Sequence, residues 1–249
     1  MRNEILCGMV LLLWTGLAHG VTPIGPATSD LDQGQFAIGF DYSNGDFETD
    51  YENLIATYSG LGTIVLPDKS ISADLEGYFG KVSYGIKDRW LVFARFGQVD
   101  IDSEKDFTYG LGTKITLKES DELDLGLTAQ INFLTNDESF SDSDWEYAEG
   151  ELDFYVAQIA LGPVYKSDKF RLYGGPFVDW ADGDGDLSGR LIYEGTPIDV
   201  KARFDLKTEL ELGGYIGMSL EIAENLDIMA EYQITDNWDI FGAGLQFKF

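Results

Sequence analysis

The chain has 249 residues, 44% of them hydrophobic, a formal charge of −27 at pH 7, one Cys and one His. Such acidity makes nucleic acid a poor partner and divalent cations or basic surfaces better ones. Beyond residue 20 no apolar run reaches the roughly 18 residues of a spanning helix, so a place in a membrane requires strands that close on themselves.

Arg2 precedes an apolar run over 5–14, followed by small residues at Gly16, Ala18 and Gly20. This is the layout of a secretory signal peptide over 1–20, with cleavage expected after Gly20. The run is short for an uncleaved anchor, and Cys7 lies inside it, away from any acylation site. Cleavage removes Cys7 and His19, the chain's only Cys and His. Residues 21–249 then offer no disulfide, thiolate nucleophile or imidazole base, so an enzyme would have to use carboxylates alone. No enzymatic activity and no cofactor are expected. Residues 21–33 read as a periplasmic lead-in and 34–249 as the folded domain.

From residue 35 onward, period-two alternation recurs between turn signals, the mark of an antiparallel meander. Ten segments carry it: 35–42, 76–86, 90–99, 107–117, 123–133, 152–165, 170–180, 210–222, 226–234 and 239–249. The fourth and fifth are the cleanest, with Phe107, Tyr109, Leu111, Ile115 and Leu117, then Leu123, Leu125, Leu127, Ala129, Ile131 and Phe133, on one face. The sixth changes phase partway, which reads as a bulge. Residues 53–58 and 63–66 offer a further hairpin. Alternation over 198–206 keeps phase with the segment after it and is expected to project outward and pair with 187–193.

Connections near 87–89, 119–121, 167–168 and 223–225 are short, whereas 43–74, 100–106, 135–150 and 181–207 read as longer acidic loops, apart from a short 235–237. Short turns on one side and long loops on the other are the pattern of outer-membrane barrels. Facing the apolar set are small residues such as Gly110, Gly112, Gly213 and Gly217, suited to a crowded interior. Trp90, Trp180 and Trp238 fall near strand ends, where interfacial girdles sit.

The inward face carries charges of both signs: Lys81, Arg95, Lys114, Arg171 and Lys248 beside Asp124, Asp179, Glu209, Glu211, Glu221, Asp227 and Glu231. They either pair and plug a narrow lumen or line a wet path for cations. Asp182, Asp184 and Asp186 are weak metal candidates, because the sixth and twelfth positions of an EF-hand loop starting at Asp182 would be Leu187 and Tyr193. The alternative there is a solvated turn.

The last segment places Phe241, Ala243, Leu245, Phe247 and Phe249 on one face, with an aromatic residue at the end. Together with the signal peptide, the strand pattern and the turn asymmetry, this resembles small bacterial outer-membrane β-barrels, the porin-like and OmpA-type membrane domains. The resemblance implies an all-β fold, a transmembrane antiparallel up-and-down barrel of ten strands, with eight or twelve as alternatives. It also implies a place in the outer membrane and a role for Phe247 and Phe249 as a C-terminal insertion signal. Partners would be outer-membrane lipids and lipopolysaccharide, the barrel-insertion machinery and divalent cations. A structural or surface-contact role with acidic extracellular loops is the leading function. A narrow channel for small solutes or cations is the alternative, and a soluble periplasmic lipocalin-like binding barrel is the second.

Overall fold

The computed structural model describes residues 22–59, 62–65, 69–101, 104–140, 145–193, 196–207 and 210–249. Its strands are β1 (Phe36–Tyr58), β2 (Gly62–Val65), β3 (Lys69–Lys87), β4 (Trp90–Ile101), β5 (Glu104–Lys118), β6 (Leu123–Phe140), β7 (Trp145–Lys166), β8 (Phe170–Tyr193), β9 (Thr196–Lys207), β10 (Glu211–Ala223), β11 (Leu226–Ile234) and β12 (Trp238–Lys248). Ten of them close an antiparallel ring, β1-β3-β4-β5-β6-β7-β8-β10-β11-β12, sealed where β12 pairs β1 from Ala37↔Lys248 to Phe47↔Trp238. Closure leaves no unpaired edge in the ring, as lipid demands.

The outward face of the ring is apolar over its lower part: Ile38 and Phe40 on β1, Leu111 on β5, Leu212 and Ile216 on β10, and Leu245 on β12 are all exposed. Aromatic residues bracket this belt. Tyr42 and Tyr78 lie 5.2 Å apart and Tyr109 stacks on Phe133 at one rim, while Phe36 and Tyr84 sit 4.6 Å apart at the other. Trp90 faces outward at the lower rim, but Trp238 does not join a girdle. It is buried inside the barrel, 5.4 Å from the Phe177 ring, because it shares the parity of the inward residues of β12.

Four expected loops are largely strand instead, 100–106 among them, where Ile101↔Glu104 ends the β4–β5 ladder. β1 runs on to Tyr58, β6 and β7 pair out to Phe140↔Ala148, and β8 continues to Tyr193. At 24 residues, β8 is more than twice the 9–11 a bilayer requires, so the wall projects beyond the apolar belt. In that extension the polarity reverses: Leu134, Phe154, Leu187, Val200 and Phe204 are buried inside, while Glu149, Glu151 and Asp153 face out. This reversal also removes the expected bulge. β6 and β7 keep one register from Leu123↔Tyr165 to Phe140↔Ala148. The apolar residues change face because the surroundings change, and the backbone does not shift.

The hairpin expected near 53–66 is present as β2 against β1, Tyr58↔Gly62 to Ile55↔Val65. β9 pairs β8 from Leu187↔Ala202 to Tyr193↔Thr196, as its alternation suggests. β9 follows β10 along the same edge of β8, the ladder passing from Glu211↔Asp179 to Lys207↔Asp182. β9 also reaches β1, Tyr58↔Val200 to Tyr51↔Leu206, and so takes the place of β10, β11 and β12 in the upper wall. The short 235–237 turn is a consequence of that substitution, since β11 and β12 end beneath β9.

Arg in place of Leu212, 70% exposed on the belt, is expected to cost about 2–4 kcal/mol of folding stability in lipid near the midplane, read from the urea midpoint of the heat-modifiable gel shift. The same change at Leu127 acts likewise. Arg at Gly213 fails for another reason, because a side chain there meets the Phe177 ring.

Candidate functional site

The lower lumen is occupied by the chain's own N-terminal segment. Residues 22–33, read from sequence as a periplasmic lead-in, enter at the end bearing the short turns and run up the axis, with Thr22, Ile24, Ala27, Thr28 and Leu31 buried. No periodicity organises them, since the segment forms no strand and its fit is set side chain by side chain. Leu31 packs with Ala37, Leu91 and Phe93 at the mouth, and Ile24 joins the apolar cluster above. Gly25 has φ +69°, a conformation that suits glycine, and its N–H and that of Ile24 donate to the two oxygens of Glu231 at 2.8 and 2.7 Å. On the wall, Gly126 admits the backbone of Ala27 and Thr28, where any larger residue would collide.

Charges on the wall hold this plug. Arg95, 2% exposed, donates from Nε to Asp41 Oδ2 at 3.0 Å, from Nη1 to Thr22 Oγ1 and Gln130 Oε1, and from Nη2 to the Pro23 carbonyl at 2.7 Å. Lys81 pairs with the other oxygen of Asp41 at 3.2 Å. Lys114 donates to the Pro26 carbonyl at 2.8 Å. Around Thr22 a belt of amides closes the section: Gln130 donates to Gln158, Gln158 to Gln233, and Gln233 to the Thr22 carbonyl. Buried ions are tolerated when paired and hydrogen-bonded, as Asp41, Lys81 and Arg95 are.

At the lower mouth Asp30 on the plug meets Lys248 at 3.2 Å, Arg171 at 3.8 Å and Gln246 at 2.6 Å, and Asp227 pairs with the same Lys248 and Arg171. Burial pushes the Asp30 carboxyl up, but Lys248, Arg171 and Lys114 together pull it down to about 2. Asp124 pairs with Lys166 at 2.9 Å.

Most residues read as lumen charges therefore meet in one interior. Lys81, Arg95, Lys114, Asp227 and Glu231 are buried there, and Arg171 and Glu211 are half-buried. Glu221 is exposed at the lower rim, and Glu209 lies outside the described residues. Sequence reasoning missed Asp41, fully buried and central to two ion pairs, although it sits between outward Phe40 and Tyr42 and so had to point inward. It also missed Asp30 and Thr22, on a segment without strand pattern.

Above the amide belt the lumen turns apolar, filled by Phe79, Leu134, Phe154, Phe177, Phe204 and Trp238. Within this zone Asp179 is fully buried and Glu211 faces it across the β8–β10 ladder. Asp182, Asp184 and Asp186 stand on the outer face of β8, exposed and in extended strand, instead of in a turn. Alternate strand positions hold carboxylates about 7 Å apart and parallel, so they do not converge on one ion. Among the described residues no group of three or more Asp, Glu, His or Cys is gathered to hold a metal. Phe247 and Phe249 face outward, edge to face at 4.8 Å, at the lower rim.

A closed antiparallel ring with an apolar outer belt, aromatic rims and a polar interior is the architecture of outer-membrane β-barrels. No family model matches this chain, and no curated protein matches its sequence. Among solved structures the chain is similar to the outer-membrane protease OmpT from Escherichia coli, at 12% identity over 86% of this chain and 96% of that one, with a TM-score of 0.47. It is similar to the translocator domain of the autotransporter NalP from Neisseria meningitidis, at 12% identity over 100% and 95%, with a TM-score of 0.45. The outer-membrane protein OprG from Pseudomonas aeruginosa aligns at 14% identity over 88% and 97%, with a TM-score of 0.43.

Proposed function

We propose that this protein is a closed, non-enzymatic barrel of the outer membrane that works through its outer surface. The observation that carries the reading is the filled lumen. Two separate seals lie in series along the axis, the polar plug of residues 22–33 below and the apolar cluster around Phe154 and Phe177 above. A solute would have to displace both. Residues 22–249 include neither His nor Cys, which leaves carboxylates as the sole acid-base groups near neutral pH.

The contact surface is the acidic wall of β7 and β8 just beyond the aromatic rim. Glu151 stands across from Asp186, and Asp153 from Asp184, with Tyr155 and Asp182 at the boundary. Like charges opposed on a ladder repel, and Arg203 offsets only part of this, 3.5 Å from Asp184. At headgroup height such a wall attracts mobile divalent cations diffusely, and these bridge to the phosphates of lipopolysaccharide. Beside it an open hollow of about 660 Å³ sets Glu149, Glu151 and Asp186 against Lys201 and Arg203, a mixed lining suited to contact with a neighbouring surface. Phe247 and Phe249 would serve as the signal read by the insertion machinery.

Liposomes carrying the protein are expected to show no current above empty bilayers, and removing residues 22–33 is expected to leave them closed because the apolar seal remains. A steady current from the intact protein would replace this reading with a channel, and one from the shortened chain alone would make the plug a gate. Asp41→Asn strands two buried cations and is expected to lower stability by about 3–5 kcal/mol, measured by urea unfolding in lipid. Magnesium-dependent binding to lipopolysaccharide vesicles is expected to fall when Asp153, Asp184 and Asp186 are all changed to Asn. Equal binding by this variant would remove the acidic wall from the account.

A further inference from the structure

The wall grips residues 22–33 as a receptor grips a peptide. No strand ladder holds the segment. Side chains of the wall reach its backbone instead: Gln233 donates to the Thr22 carbonyl at 3.2 Å, Arg95 to that of Pro23 at 2.7 Å and Lys114 to that of Pro26 at 2.8 Å. In the other direction, the N–H groups of Ile24 and Gly25 donate to Glu231. Two side chains add selectivity for sequence. Thr22 Oγ1 lies within hydrogen-bonding distance of Arg95, Gln130 and Asn132, and the Asp30 carboxylate meets Gln246, Lys248 and Arg171.

The main gripping groups also bond the wall itself. Arg95 is fixed by Asp41 at 3.0 Å, Gln130 and Gln233 by Gln158, Glu231 by Gln233, and Lys248 and Arg171 by Asp227. Paired strands of a closed ring carry all of them, so their positions are set by neighbours other than the segment they hold. A site whose donors and acceptors are placed in advance binds without first being built.

We propose that the lower lumen is a receptor site for an extended peptide entering from the end with the short turns, and that residues 22–33 are its resident, self-supplied ligand. The pattern it takes is a hydroxyl residue, proline, an apolar residue, glycine and proline at the inner end, with a carboxylate at the mouth, as Thr22 to Pro26 and Asp30 provide. Glycine is required at the fourth place, because Gly25 has φ +69° and a Cβ there would meet Lys114 Nζ. In the intact chain a short tether keeps this ligand at an effective concentration on the order of millimolar, which excludes a free competitor. The tether is accessible: Gly34 is exposed, at φ +86°, with open space where a Cβ would stand. Cutting there turns the plug into an exchangeable ligand. The partner class is thus a polypeptide that offers an extended segment of this pattern to the short-turn mouth.

The inference goes beyond the surface role and rests only on the bonds inside the lumen, so a conducting barrel, or one indifferent to lipopolysaccharide, leaves it standing. The test uses the full chain with a protease recognition sequence placed between Gly34 and Gln35, folded, purified in detergent and then cut. Gel filtration with mass spectrometry is expected to find the N-terminal fragment still lodged in the barrel. An excess of fluorescently labelled synthetic peptide of residues 22–33 is expected to replace it, read by anisotropy and by release of the fragment. Uncut protein is expected to take up at least about tenfold less of the label. Peptides carrying Thr22→Val or Asp30→Asn are expected to compete at least about tenfold more weakly, and Gly25→Ala and a scrambled sequence not at all. Where the insertion prevents folding, a chain beginning at Gly34 is refolded in the presence of the peptide, which is expected to raise the yield of the heat-modifiable band where the scrambled one does not. Loss of the fragment without uptake of peptide, a lodged fragment that the peptide never replaces, equal competition by the scrambled sequence, equal uptake by cut and uncut protein, or a refolding yield that the peptide leaves unchanged would each overturn the proposal.

Discussion

One constraint organises the molecule: the same continuous strands must satisfy lipid over one part of their length and water over another, without a break in hydrogen bonding. β7 shows it most plainly. Ile159, Leu161 and Tyr165 point into the apolar belt, with Gln158 facing the lumen, whereas beyond Tyr155 the outward positions become Asp153, Glu151 and Glu149 while Phe154 and Ala148 turn inward. The ladder to β6 is unshifted throughout. The backbone therefore contributes a rigid, closed wall, and the choice of which side is greasy is made residue by residue by what lies outside it. A membrane barrel and its inside-out soluble counterpart are joined end to end in one sheet.

Filling such a tube takes different materials in its two sections. In the lower one, wall charges cannot be removed from water without partners, and the plug supplies them through its carbonyls, its peptide N–H groups and Asp30. In the upper one, rings fill the space, and inward glycines on neighbouring strands make the room: Gly213 lies under Phe177, Gly217 under Tyr173 and Gly185 under Phe204. Glycine in a strand interior is unfavourable by itself, but an aromatic ring laid across it recovers apolar contact. The small inward residues that suggest crowding relief in the sequence are thus specifically the complement of large inward rings.

The ring's strands were legible because period two is a strong signal wherever one face meets hydrocarbon, and the outward parity of Leu111, Leu212 and Leu245 follows from it directly. The parts that were not legible are those where the period carries a different meaning or none. Asp, Glu and Ser over 146–153 and 181–190 look like solvated loop by composition, yet they alternate with inward Ala148, Ala181 and Leu187 once the partner strands are known. Pairing decides this, and pairing is non-local. Trp238 shows that closeness to a strand end is a weaker guide than parity, which alone puts its ring inside. The plug was invisible for a deeper reason, since residues 22–33 bind by single hydrogen bonds to wall positions 72 to 216 residues away, as Pro23 to Arg95 and Asp30 to Gln246 show.

The distribution of charge follows from the same division. The interior holds Lys81, Arg95, Lys114, Lys166, Arg171 and Lys248 against Asp30, Asp41, Asp106, Asp124, Asp179, Glu211, Asp227 and Glu231, far closer to balance than the chain as a whole, as a low-dielectric space requires. An overall charge of −27 must then reside almost wholly on surfaces that face water, since the outward belt is apolar. Those surfaces are chiefly the outer wall beyond the aromatic rim, where strand pairing fixes Glu151 against Asp186 and Asp153 against Asp184 and prevents the acids from spreading apart. A flexible acidic loop would relax its repulsion by extending; a ladder holds it. The strength of the field at that rim is therefore a property of the fold as much as of the composition.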